Sequence, residues 1–465
     1  MDDDIFFAGV GGQAAAIDKG EIGSVELVTA TLERIQRYDG RLNAFTQVLA
    51  DQALAEARDR DAAPADERGP LHGVPVAIKE ELDVAGAVTT FGGRANVTPA
   101  AQDCEVVRRL RAAGAVVVGK TNMPEFGQVP MTDSGAHGLT RNPWDLTRSP
   151  GGSSGGTAAA VAAGLVPFGL GGDGGGSIRI PSAACGLFGL KPSRGRVTDA
   201  PFEYPWWSLG TTGPLTRSVL DSALVYDVIR GSLPSDRWHA TEPRCSFVEA
   251  ATSDPGPLRI GWSTKAPTPV LRADPEHVQA VVDVADALAR LGHHVEEVDP
   301  GYPDVTATFM VQYLAAIRRE RDMVEHPELL ERRTRETARL GAWVRPGAVE
   351  WAIRQGEKAA EKANRVFASH DLLLTPTVAS RPPVAGAVQG LGTVRSLLTS
   401  LPVSGYALMW NVAGNPAASV PVGFARDGLP LAVQLVGRRD DEPTILSVAA
   451  QLEQALPWAD KRPPL

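Results

Sequence analysis

The chain has 465 residues, 43% of them apolar and 22% charged, an ordinary globular composition that excludes disorder, collagen and coiled coil as whole-chain descriptions. Its formal net charge of −9 argues against a nucleic-acid surface, which needs a basic stripe. Three cysteines, Cys104, Cys185 and Cys245, cannot build a disulfide framework and point to a reducing compartment. The acidic start MDDDIFFAGV does not read as a secretory signal, and no apolar run reaches the ~20 residues that span a bilayer. A soluble cytoplasmic protein is expected, monomer or homodimer, with no nucleic-acid or membrane partner.

In chain order, Ser24 can cap a helix over 25–39. The run Gly73-Val74-Pro75-Val76-Ala77-Ile78 reads as a buried strand ending at Lys79. Asp103 can cap a helix over 104–113, with Gly114 at its C′ position and a strand behind it. Ala158 to Ala163 form a small-residue helix closed by Gly164, followed by the apolar run LVPFGL. Asp274-Pro275-Glu276 opens a helix whose apolar positions Val278, Val281, Val282, Ala285, Leu288 and Leu291 keep the helical period, and Gly292 ends it. A strand follows over 294–298. The stretch 305–365 reads as charge-rich helix, a peripheral cap, and Pro376, Pro382 and Pro383 mark loops. Alternating helices and short apolar strands indicate an α/β layer fold. No linker divides the chain, so one domain over 1–465 is expected, its catalytic core at about 60–220 and 370–455.

Glycine is the unusual number, with 48 residues, concentrated between Pro150 and Gly195. A flexible linker would leave Val161, Leu165, Phe168, Ile178 and Phe188 exposed, so a buried segment with tight backbone turns is the better reading. Three motifs nearby mislead. Gly114 to Thr121 matches the phosphate-loop pattern, but a helix precedes it and its middle is β-prone. Gly169 to Gly174 matches G-x-G-x-x-G, but no helical pattern follows and Pro181 interrupts. Gly152-Ser153-Ser154-Gly155-Gly156 matches G-x-S-x-G, with Ser154 in the nucleophile position. The histidines downstream, from His239 to His370, show no evident acidic partner. A Ser–His–Asp hydrolase using Ser154 is kept as the second chemistry.

The stronger constellation has no histidine. A lysine closing a buried strand is costly unless paired or neutral. Alone, Lys79 reads as a strand-end residue paired with Glu80 or Glu81. With Ser153 in GGSSGG and Ser177 in GGGS, it can form a proton relay in which neutral lysine accepts a proton through one serine while the other attacks a carbonyl. The backbone N–H groups of Gly174, Gly175, Gly176 and Ser177 can turn inward as an oxyanion nest. Strand alternation puts Glu81 on the face of Lys79 and Glu80 on the opposite face.

These segments resemble the amidase signature family: GVPVAIK at 73–79, GKTNMPEFG at 119–127, RNPWD at 141–145, SPGGSSGG at 149–156, GGDGGGSIRIPSAACGLFGLKPS at 171–193, GPLTRSVLD at 213–221, LLTPT at 373–377, and NVAGNPAASVPVG with GLPLAVQLVG at 411–437. The resemblance implies a three-layer α/β/α sandwich with a large twisted mixed sheet. It also implies amide hydrolysis through an acyl-enzyme, with Lys79 as general base, Ser153 as bridging serine after a cis Gly152–Ser153 peptide, and Ser177 as nucleophile. Esters and carbamates, which present the same carbonyl, fall within that chemistry. Neither a metal nor an organic cofactor is expected, since no His/Cys set has metal spacing. Glu80-Glu81 after the lysine, Gly172-Asp173 before the nucleophile glycines and Ala432 in GLPLAVQ depart from the family's usual residues. Gln128 and the aromatic stretch holding Phe202, Tyr204, Trp206 and Trp207 are candidates for substrate binding, an aryl amide or urethane fitting such a wall; ordinary packing explains the aromatics equally well. The other family branch to weigh is the glutamine amidase subunit of a tRNA-dependent transamidation complex.

Overall fold

The computed structural model describes residues 3–202, 206–268 and 270–465. Within them eleven strands form one mixed sheet: β1 (Phe45–Val48), β2 (Pro75–Lys79), β3 (Val116–Thr121), β4 (Phe168–Gly172), β5 (Phe188–Lys191), β6 (Thr212–Thr216), β7 (Arg259–Trp262), β8 (His294–Glu297), β9 (Leu372–Pro376), β10 (Ala417–Phe424) and β11 (Pro430–Gly437). Their order across the sheet is β1-β3-β2-β4-β6-β5-β10-β11-β9-β7-β8. β2 runs parallel to both β3 and β4. The middle of the sheet, from β4 to β9, is antiparallel, and β9, β7 and β8 are again parallel. No helix among the described residues is long and apolar enough to cross a membrane.

The sheet is covered on both faces, and the strand sequences say why. Val76 and Ile78 of β2 enter one core with Phe168 and Leu170 of β4. Ala77, between them, enters a second core with Val116 and Val118 of β3 and the alanines of the helix Gly155–Ala162. A strand buried on both faces is continuously apolar rather than alternating, which is how β2 and β3 read. Lys79 follows the period of two from Ala77, so its side chain leaves on the face where that alanine helix begins.

Several expected elements hold with altered ends. Asp274 caps the helix Pro275–Arg290 by accepting the Glu276 N–H at 2.9 Å. Ser24 does not cap; it is the first residue of the helix Ser24–Leu42, and Asp61 accepts the Ser24 and Val25 N–H groups instead. Asp103 does not cap Glu105–Ala112 either. Its carboxylate takes the Ala85 N–H at 2.8 Å and pairs with Arg111. Gly119, Lys120 and Thr121 of the phosphate-loop pattern lie inside β3, so they offer no helix N-terminus. The stretch read as a peripheral cap holds the helix Thr306–Met323, whose Phe309, Tyr313 and Ile317 are buried, followed by Arg332–Leu340 and Pro346–Ala363.

Candidate active site

The site lies at the carboxyl ends of the parallel strands β2 and β4, the usual position for a site in a sheet of this kind. Lys79 ends β2 and is 1% exposed. Its Nζ donates to Ser153 Oγ at 2.8 Å and to the Gly172 carbonyl at 3.5 Å, and it lies 3.0 Å from Glu81 Oε1. Glu80 points to the other face, 3.7 Å from Lys120 Nζ, as alternation requires. Ser153 follows a cis Gly152–Ser153 peptide bond and precedes the helix Gly155–Ala162. Ser177 is half-buried and precedes the helix Arg179–Cys185. One cavity collects Lys79, Ser153 and Ser177 together.

The turn between β4 and Ser177 is fixed by a buried ion pair. Asp173 and Arg179 are both 0% exposed and meet through two contacts of 3.0 Å. Asn411 donates to the Asp173 carboxylate at 2.8 Å, and Gln434 accepts from Arg179 at 2.8 Å. Burial would raise the Asp173 carboxyl, but the Arg179 guanidinium outweighs it and holds the group well below the usual carboxylate range. Two-point arginine pairing is geometrically specific as well as strong. The Asp173 carboxylate also accepts the Gly176 N–H at 2.7 Å and the Ile178 N–H at 3.1 Å. This corrects the expected nest: the Gly176 N–H is already committed. Among the described residues no protein acceptor takes the N–H of Gly174, Gly175 or Ser177. Glycine is required at 174 because a Cβ there would press on the Trp206 ring.

The cavity wall is aromatic, and its backbone is unusual. Among the described residues six non-glycine positions have left-handed φ, and four of them, Phe91, Phe126, Trp206 and Trp207, line this cavity. That conformation costs a bulky residue about 1–2 kcal/mol. Such outliers cluster at functional sites, where the surrounding structure holds them. Trp206 packs edge-on to Tyr313 at 5.4 Å, and Phe202 edge-on to Phe91 at 6.2 Å. Tyr204, expected to share this wall, lies outside the described residues. Gln128 lines an adjoining cavity, but its amide is spent within the protein. It donates to the Glu125 carbonyl and Thr334 Oγ1 and accepts from Thr337 Oγ1.

Ser154 is 0% exposed and donates to the Gly172 carbonyl at 3.2 Å. None of the eight histidines lines either cavity. His277 is buried, and burial, aided by Arg381, pushes it down to about 4; His370 pairs with Glu296; His293 contacts Gln451.

Sequence reasoning missed two contributions. Arg179, Asn411 and Gln434 come from three distant segments and meet only around Asp173. The helix Thr306–Met323 presents Phe309, Met310 and Tyr313 to one cavity and Ala316, Glu320 and Met323 to the other, positions that share one helical face. That periodicity was the available signal in a stretch otherwise dominated by charge.

Comparison with known proteins shows the family and the fold. A family model described as Amidase matches residues 26–446. The chain is 46% identical to a putative amidase, AmiB2, of Mycobacterium tuberculosis, over 99% of this chain and 98% of that one. It is 36% identical to the 6-aminohexanoate-cyclic-dimer hydrolase of Paenarthrobacter ureafaciens, over 97% and 96% of the two chains. A solved structure of 6-aminohexanoate cyclic dimer hydrolase matches with a TM-score of 0.93 at 34% identity, over 99% of each chain.

Proposed function

This chain belongs to the amidase signature family and is a hydrolase acting on the carbon–nitrogen bonds of amides, and from that premise we propose that it works through a Ser177 acyl-enzyme served by Ser153 and Lys79. The observation that carries the proposal is the 2.8 Å contact between Lys79 Nζ and Ser153 Oγ in the cavity that Ser177 also lines. Ser177 Oγ attacks the amide carbon. Its proton passes through Ser153 to the Lys79 amine, and the carbonyl oxygen takes up negative charge beside the free N–H groups of Gly174, Gly175 and Ser177. The C–N bond then breaks as the same relay returns the proton to the departing nitrogen. Water, deprotonated through Ser153, attacks the acyl carbon and frees Ser177. Esters and carbamates enter by the same carbonyl.

The test is a panel of anilide, alkyl amide, aryl ester and carbamate substrates, assayed with the purified chain alone. Wild type should cleave the amides, and Ser177→Ala should cleave none. Amide hydrolysis surviving in Ser177→Ala would favour the Ser154 chemistry. Activity on glutamine alone, and only with an added partner, would favour the transamidation subunit.

A further inference from the structure

Two cavities meet at Ser177. The first, about 110 Å³, holds Lys79 and Ser153; the second, about 440 Å³, holds neither, yet Gly127, Ser177 and Trp206 line both. The proposed mechanism makes this division chemical. The departing nitrogen must receive its proton from Ser153, so the amine half of the substrate has to lie on the Lys79 side. The acyl half, which stays on Ser177, then has only the other chamber.

Both chambers are largely apolar, the first through its aromatic wall, and they differ in their unpartnered polar groups. Four residues that line the first each carry one buried polar atom without a hydrogen-bond partner: Asp199 Oδ1, Trp207 Nε1, Thr211 Oγ1 and Glu320 Oε2. Thr211 is 5% exposed. No such atom lines the second chamber among the described residues. Buried polar groups without partners are rare in native proteins and call for a ligand or water. Burial pushes Asp199 up to about 8, with Asp236 and Glu81 adding to it, and raises Glu320 well above its usual range, so both can donate as well as accept. The second chamber is walled by Phe309, Met310, Leu397, Leu401, Leu408 and Met409. Val394 and Leu398 stand at its rim on the helix Thr393–Ser404, 62% and 68% exposed.

Resting on the proposed mechanism, we infer that the preferred substrates are amides of an apolar acyl group with a small polar amine, the acyl group filling the Leu397–Leu401 chamber and the amine meeting Asp199, Thr211, Trp207 and Glu320. An extended aliphatic or aryl acid fits the larger chamber.

A pair of mirror substrates tests this on the whole enzyme: N-octanoyl-1,2-diaminoethane, with its apolar part on the acyl side, and 3-aminopropanoyl-octylamide, with its apolar part on the amine side. We expect the first to have kcat/KM at least a hundredfold higher. Lengthening the acyl chain from acetyl should raise kcat/KM about fourfold per methylene until the chamber fills, the factor that ~0.8 kcal/mol per buried CH2 corresponds to. Leu401→Trp should lower the ratio of octanoyl to acetyl turnover. Glu320→Gln should lower the preference for diaminoethane over propylamine at fixed acyl group. Fluorophosphonate labelling of Ser177 separates the failures. Labelled Ser177 with equal, reversed or absent turnover of the mirror pair overturns the substrate assignment alone. Absence of both labelling and amide hydrolysis overturns the mechanism, and the assignment with it.

Discussion

Lys79 and Lys120 sit on neighbouring strands, 1% and 0% exposed, and each lies beside one carboxylate of the consecutive pair Glu80 and Glu81. Around Lys120 every group has a protein partner. Its Nζ donates to Thr89 Oγ1 at 2.8 Å and the Val88 carbonyl at 3.2 Å, while Glu80 accepts from Thr46 and Thr90. Burial lowers the Lys120 pKa and Glu80 opposes that shift. Lys79 instead opens onto a cavity, touches a serine, and pairs with a Glu81 side chain that is 27% exposed. What separates the two is the face of the sheet. Straight alternation from Val116 and Val118 would send Lys120 to the side of Ala77 and Lys79. The pairing of β2 with β3 slips between Val76 and Ala77, which face Val117 and Gly119 in turn. That bulge adds one residue to β3 and moves Lys120 opposite Ile78, onto the other face. A buried lysine is therefore no sign of chemistry by itself; the face it leaves on decides.

The largest effect that would break this contrast is on activity. Lys79→Ala should lower kcat/KM by about 10²–10⁴, the usual contribution of a positioned base, while the folded protein persists, because Glu81 can still reach water. Lys120→Met should do the reverse. It strands Glu80 as a buried charge, and thermal or denaturant melts should show a loss of about 3–5 kcal/mol, with Ser177 still labelled by a fluorophosphonate under native conditions. Adding Glu80→Gln should restore part of that stability. Comparable activity loss in both lysine variants would erase the distinction.

A finer test concerns Glu81. Its carboxylate lies 3.0 Å from Lys79 Nζ. Glu81→Gln should lower kcat/KM, but less than Lys79→Ala does, with Ser177 still labelled by a fluorophosphonate. An unchanged kcat/KM would show that Glu81 does not position the lysine. A separate effect, on stability alone, belongs to Asp199, pushed up to about 8 chiefly by burial. Folded protein keeps a proton there that the unfolded chain releases near pH ~4. Stability should therefore fall as pH rises from about 4 to 8. Asp199→Asn should flatten that fall, read as a smaller Tm difference between pH 6 and pH 9.

Local chemistry was legible in the sequence where the partners are near in the chain. Asp274 caps its helix two residues on, Gly114 and Gly292 take positive φ behind their helices, and Glu81 shares the face of Lys79. Local reading failed in two ways. Asp61, 37 residues away, displaced Ser24 as the cap, and Asp173, three residues before Gly176, took the N–H expected in the nest once Arg179 and the distant Asn411 had fixed its carboxylate. The bulge in β3 and the left-handed Phe91, Phe126, Trp206 and Trp207 leave no local signature either. They follow from packing around the cavity and contradict the residues' own preferences.

The central claim is that Ser177, served by Ser153 and Lys79, is the acylated residue. The most direct measurement is fluorophosphonate labelling followed by peptide mass mapping of wild type, Ser177→Ala and Lys79→Ala. One adduct on Ser177 is predicted in wild type, none in Ser177→Ala, and a labelling rate lower by orders of magnitude in Lys79→Ala. An adduct on Ser154, or labelling of Lys79→Ala at the wild-type rate, would contradict it.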